Sequence, residues 1–185
     1  MTFLYKSKLY IVLFFYFLVC CQSVEVTQEV IFDNNVLSKF NIVAEKKVIN
    51  NFYEVKYDNK HIDHSLETPP LNRLNNWLEE GFIIFGNENI FLINILDASI
   101  IKIERENTNK KKYEGKTEFF YEISFVVEYI LLNDSENILA TTKVQTKRST
   151  TSSVYISLNE KELIIDTMIL EALKDLSSKS NELIK

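Results

Sequence analysis

The chain has 185 residues, with 21 basic and 26 acidic side chains, a net charge of −5 and an apolar content of 46 %. An acidic balance argues against nucleic acid as the main partner, because phosphate binding needs a basic face. Two cysteines, three glycines and two prolines exclude a disulfide framework, a glycine-rich phosphate loop and a low-complexity chain.

The first element is the apolar run Leu9–Cys21, LYIVLFFYFLVCC, which follows Lys6 and Lys8. A positive start, an apolar stretch and a small-residue exit form a secretory signal. Only 13 residues separate Lys8 from Gln22, short of the roughly 20 that a membrane-spanning helix needs. Three fates remain open. Leu18-Val19-Cys20-Cys21 resembles a bacterial lipobox, with Cys21 as the lipid-bearing first residue of the mature chain and Cys20 where Gly or Ala is usual. Cys21-Gln22-Ser23 instead suits ordinary cleavage before Val24. Tyr5 and Tyr10 would suit an interface if the segment stays uncleaved. The favoured expectation is lipid attachment at Cys21, with several acyl chains, each contributing about 0.8 kcal/mol per buried methylene, holding a domain on a membrane.

Residues 1–20 hold two of the basic side chains and no acid, so the remaining 165 carry 19 basic against 26 acidic residues, a net of −7. Past Cys21 there is no cysteine, hence no thiolate nucleophile and no cysteine metal site. The expected organisation is a leader over residues 1–21, a tether over 22–37 and a single α+β periplasmic domain over 38–185. Within the tether, VEVTQEVIF alternates as an edge strand would.

Phe40–Tyr57 reads as a first strand region, with Phe40, Ile42, Ala44, Val48 and Phe52 on one face and Lys46 interrupting. Asp58–Glu67 is a polar loop. Thr68-Pro69-Pro70 starts a helix, with Thr68 as the cap and proline in the first turn. Leu71, Leu74, Trp77 and Leu78 follow at helical spacing, and Gly81 suits the residue after the helix, where positive φ is common. Trp77 reads as a core anchor. Ile90–Arg105 is apolar on both faces, as a covered central strand is. Asn107–Lys116 is a charged turn whose NTNKKK sequence makes a basic hairpin tip, either solvated or in contact with anionic lipid or a partner. Thr117–Leu132 and Ile138–Arg148 alternate as strands, joined by the hairpin composition Asn133–Asn137. Ser149–Ser153 reads as a polar link. Ser157 and Glu160 form a capping box opening a helix that runs to about Leu183, with Leu158, Ile165, Met168, Ile169, Ala172, Leu173 and Leu176 as its apolar stripe.

The fold expectation is an α+β two-layer sandwich: a mostly antiparallel sheet of about four strands, with two helices on one face, in the order β-α-β-β-β-α. A parallel crossover would join the first strand to the second. No cofactor is expected. His61-Ile62-Asp63-His64 is the one imidazole cluster, and it lacks a third strong metal ligand nearby. No nucleophile elbow or oxyanion glycine accompanies it.

His64 with Pro69-Pro70, Trp77, Gly81, Leu96-Asp97-Ala98-Ser99, Thr146–Thr150 and Ser157–Glu162 together resemble an uncharacterised family of alphaproteobacterial envelope lipoproteins, over roughly residues 40–180. The element layout is also similar to the plug subunit of lipopolysaccharide transport and the auxiliary lipoproteins of lipid-transport ABC systems. The family carries no activity to transfer; the leader, the acidic cysteine-free body and the lack of a catalytic set lead to the expectation of a non-enzymatic, membrane-anchored envelope lipoprotein facing the periplasm. Its partners would be the membrane itself and an envelope protein complex or a lipid, with no nucleic acid. The alternatives are a soluble periplasmic hydrolase or metal-binding protein using His61 and His64, and an uncleaved single-pass anchor.

Overall fold

The computed structural model describes residues 34–108 and 115–184. Cys21, with the rest of the leader and most of the tether, therefore lies outside the described residues. After a single 3-10 turn at Asn34–Val36, the elements are β1 (Phe40–Val43), β2 (Lys46–Asn51), α1 (Pro70–Gly81), β3 (Phe82–Phe85), β4 (Ile90–Glu106), β5 (Thr117–Leu132), β6 (Ile138–Ser153) and α2 (Leu158–Leu183). The expected architecture is present: two helices on a mostly antiparallel four-stranded sheet, of order β2-β4-β5-β6, with a further two-stranded parallel ribbon, β1-β3.

The ribbon was not foreseen, and its origin is a dislocation in one long parallel pairing. β1 runs beside β3 from Phe40↔Phe82 to Val43↔Phe85, and β2 runs beside β4 from Lys46↔Ile90 to Asn51↔Ile95. Between them, Ala44 and Glu45 face Gly86–Asn89. The Glu45 amide lies 2.9 Å from both the Glu88 and Asn89 carbonyl oxygens, and Ala44 N donates to Phe85 O at 3.1 Å. Gly86 at φ +137° and Asn89 at φ +72° absorb the extra residues. Both torsions lie where ordinary side chains are strained and glycine or asparagine is tolerated. The first strand region is thus two strands, and its inward face changes at the break. Phe40, Ile42 and Ala44 are buried as expected. Val48 instead shares the opposite face of the sheet with Leu92, and Phe52 is 63 % exposed beyond the strand end.

Lys47 shows why a lysine is accepted on the covered side. Its ammonium donates to the carbonyls of Leu78, Glu79 and Phe82 at 3.1, 2.7 and 3.1 Å. These are the unpaired acceptors at the end of α1, where a cation also meets the negative end of the helix dipole. At the other end of α1, Pro69 occupies the cap position without a side-chain bond and Pro70 opens the helix. Thr68 therefore stands one residue too early to cap. Gly81 is the last helical residue rather than a positive-φ terminator. It is small because a Cβ there would lie 2.9 Å from the Trp77 indole nitrogen.

β4 to β6 form the expected meander, with β4–β5 and β5–β6 both antiparallel. A bulge between Ile95 and Asp97 resets the alternation of β4. Phe91, Ile93 and Ile95 face the helices before it, Ala98 and Ile100 after it, and all five are buried. β6 continues through Ser149–Ser153, which is strand rather than link; its threonines and serines suit an edge that faces water on one side. The capping box at Ser157 and Glu160 is present, and α2 ends at Leu183 as expected. Leu158 is 65 % exposed and not part of the stripe, whereas Ile165 through Leu176 on the same stripe are buried.

Both helices cover the same face. Thr146 of β6 donates to Ala172 O of α2, Tyr129 of β5 bonds Ser180, and Lys47 of β2 reaches α1. The Arg73 guanidinium of α1 meets Asp166 of α2 at 2.9 Å. Burial dominates at both groups, pushing the Asp166 carboxyl above and the Arg73 guanidinium below their ordinary ranges, despite their mutual attraction. The pair therefore fixes the spacing of the helices more than it stabilises them.

Candidate functional site: an apolar groove at one end of the sheet

The two histidines of the loop between β2 and α1 take separate partners. His61 joins β4 through an isolated bridge to Ile101, and its Nδ1 sits 2.8 Å from Asp58 Oδ1. Asp58 also accepts the amides of Lys60 and His61, bonds that hold its carboxyl well below the usual range. His64 is exposed and packs against Tyr57, ring centroids 5.1 Å apart. Among the described residues no three histidine, cysteine, aspartate or glutamate side chains are grouped to hold a metal ion. Asp63, between the histidines, is buried and accepts the Tyr53 hydroxyl at 2.7 Å. Burial and then Asp63 push the Tyr53 hydroxyl up. The cluster builds the loop onto the sheet, and the sequence signal that singled it out is absorbed by these bonds. Of the basic tip, Asn107 closes the β4–β5 turn by its amide to Lys116 O, and residues 109–112 lie outside the described residues.

Trp77 anchors the core as expected, at 1 % exposure. Its ring makes edge contacts with Phe40 and Phe82, at 6.3 and 5.6 Å between centroids, and the Trp77 indole donates to Ser38 O at 3.4 Å. Phe82 also stacks on Phe40 at 4.5 Å and on Phe91 at 5.8 Å, and Phe91 lies parallel to Tyr129 at 5.9 Å. Offset aromatic contacts of this kind add about 0.5–1.5 kcal/mol per pair beyond burial. This aromatic layer is the floor of a largely apolar opening.

That opening is a groove of about 410 Å³ between β1, β6 and the end of α2. Phe91, Tyr129 and Leu131 line its base, Ile42 and Val43 one wall, and Leu183 and Ile184 the other. Val43 and Leu183 in its walls are about half exposed, as are Ile83 and Phe85, the register partners of Asn41 and Val43, and Ile138 and Leu139, which precede Ala140 in β6. Val43 pairs with Phe85, so the outer face of the ribbon carries the apolar surface outward from the groove. Volume and lining fall in the range of small-molecule and peptide-anchor sites, about 300–1,000 Å³ and mostly apolar. Clustered exposed apolar side chains mark contact surfaces. Sequence reasoning missed Ile83 and Phe85; the signal was the run Phe82–Phe85, four apolar residues directly after a helix-ending glycine.

A second, smaller cleft of about 110 Å³ lies beside Arg73 and Asp166, lined also by Glu67, Lys161 and Glu162. Its charges already face one another across the helices.

No protein-family model matches the chain, and no curated protein matches it. Several solved chains resemble it, two of them crystal structures of bacterial lipoproteins. A minor lipoprotein from Acinetobacter baumannii shares 12 % identity, covering 75 % of this chain and 88 % of that one, at a TM-score of 0.35. The rare lipoprotein B from Shewanella oneidensis shares 15 %, covering 75 % of this chain and 96 % of that one, also at 0.35. At that TM-score the likeness is loose, and the chemistry of this chain rests on its own residues.

Proposed function

We propose that the chain is a membrane-anchored lipoprotein of the bacterial cell envelope, held by a lipid on Cys21, whose domain serves in the periplasm as a non-enzymatic binding or assembly accessory. The observation that carries the reading is the apolar groove, with Val43 and Leu183 half exposed in its walls and Phe85, the register partner of Val43, half exposed beside it. A domain with this much apolar surface gathered at one end gains by covering it with an acyl chain or an apolar protein surface. The leader supplies the address. Leu9–Val19 is too short to span a bilayer as a helix, and Cys21 stands at its exit.

The test is photo-crosslinking of the full chain in envelope membranes, with the photoreactive group at Phe85 or, as the control, at Tyr155. Tyr155 is 84 % exposed and sits against Gly115 at the opposite end of the sheet. The reading expects a discrete adduct from Phe85 and none from Tyr155. Equal labelling at the two ends would remove it. Intact mass decides the anchor: a diacylglyceryl mass on a chain beginning at Cys21 is expected, and a mature chain beginning at Val24 would overturn it.

A further inference from the structure

The groove lies between two strands that each have a partner on one side only. Among the described residues β1 pairs with β3 alone and β6 with β5 alone. Asn41, Ile42 and Val43 of β1 and Ala140, Thr141 and Thr142 of β6 line the groove. A strand edge without a neighbour offers backbone N–H and C=O groups to an extended chain. No charged side chain lines the groove. Lys47, in register with Phe91 on the same face, is engaged elsewhere. Its ammonium donates to the Leu78, Glu79 and Phe82 carbonyls and stands 3.6 Å from the Glu79 carboxylate. The Tyr129 hydroxyl is held by Ser180 at 3.0 Å. The groove therefore fits an extended segment with one uncharged, mostly apolar face.

The chain itself supplies one. Residues 24–32 read VEVTQEVIF. At the strand period of two, Val24, Val26, Val30 and Phe32 share one face with Gln28, and both glutamates, Glu25 and Glu29, fall on the other. The place of entry suits the groove as well. Leu37 is buried, and the Ser38 amide donates to Ser177 Oγ at 2.7 Å. Ser177 stands six residues before Leu183 on α2, about 9 Å at 1.5 Å per helical residue. Nine extended residues reach about 30 Å, more than that separation. We propose that residues 24–32 seat themselves in the groove as an added strand, apolar face on Phe91, Tyr129 and Leu183, and that a partner of the domain must displace them. This rests on the binding-accessory reading and adds its regulation. Joined to the domain by a few residues, the segment meets the groove at an effective concentration on the order of millimolar. The partner's apparent affinity falls in proportion to the fraction of grooves left open.

The experiment uses the full chain in envelope membranes, with a photoreactive group at Leu183, which is 54 % exposed, and maps the adducts by mass spectrometry. An adduct within one chain, from Leu183 to residues 24–32, is expected. Val30→Asp with Phe32→Asp should weaken that adduct at least fivefold and strengthen the partner adduct from Phe85 at least threefold. Val30→Ile with Phe32→Leu, which keeps the apolar face, should leave both at their native level. An adduct from Leu183 only to other parts of the chain, one that joins two copies, or one indifferent to the aspartates would overturn the added strand. A Phe85 adduct unchanged by the aspartates would overturn the displacement. The two readings fail separately. A partner adduct at Phe85 with no adduct to residues 24–32 removes the added strand and leaves the accessory role. An adduct to residues 24–32 with no partner adduct at Phe85, even in the aspartate variant, removes that role.

Discussion

The two faces of the four-stranded sheet solve opposite problems with the same strands. On the covered face, Ile93, Ile95, Ala98, Ile100, Tyr121, Ile123, Phe125 and Val127 are fully buried beneath the helices. The open face is closed by polar chains instead. Asn50 donates to Asn94 Oδ1 at 3.0 Å, Asn94 to Glu128 Oε2 at 2.9 Å, and Lys147 to Glu122 at 3.3 Å. Long side chains of this kind shelter small or apolar neighbours, and Ser124 and Val126 are 6 % and 8 % exposed among them. Stability is therefore concentrated on one side of the sheet, and solubility on the other.

The largest test of that division is Phe125→Ala, which opens a cavity in the covered layer and is expected to cost roughly 3–5 kcal/mol by denaturant unfolding. Gly81→Ala comes next, at about 1–3 kcal/mol, because the new methyl meets the Trp77 ring at 2.9 Å and the ring has no free space to enter. Ser157→Ala removes the hydroxyl that accepts the Glu160 amide, the side-chain half of the capping box of α2, the helix that covers β5 and β6, for about 1 kcal/mol.

Smaller, and separable by pH, is Asp166→Asn. The native carboxyl titrates above its unfolded value, so the stability it contributes is complete below the ordinary aspartate range. That stability is lost as pH rises through the folded value. Measured from about pH 3 to about pH 6, the native chain should lose ground against the asparagine variant. A flat gap would show that Arg73 cancels burial, and one that moves the other way that Arg73 outweighs it. The smallest effect is Lys147→Ala on the open face, under about 0.5 kcal/mol and fading with salt. A loss as large as that of Ser157→Ala would erase the distinction between the faces.

Local signals carried most of the fold. The box at Ser157 and Glu160, the proline start of α1 and the meander of β4 to β6 follow from contacts close in sequence. The break at Ala44-Glu45 did not show, because it exists only against Gly86–Asn89, some forty residues later. The seat of Lys47 on the covered side did not show for the same reason: the carbonyls that accept it belong to α1 and to Phe82 just after it. Ser149–Ser153 was hidden by composition, since a polar edge strand and a polar link share the same residues. The groove draws on five separate stretches, around residues 42, 91, 130, 141 and 184, and no window of sequence contains it. Cys21 remains the site expected from sequence alone.

The single tryptophan has one more consequence. Trp77 is sealed against Phe40, Phe82, Gly81 and the Ser38 carbonyl, so its indole senses whether β1 is seated. β1 is also the first strand among the described residues. Any pull on the chain from its N-terminal side reaches β1 before the main sheet. The protein thus carries an intrinsic fluorescent strain gauge: a red shift of its emission would report β1 lifting away while far-ultraviolet circular dichroism held steady.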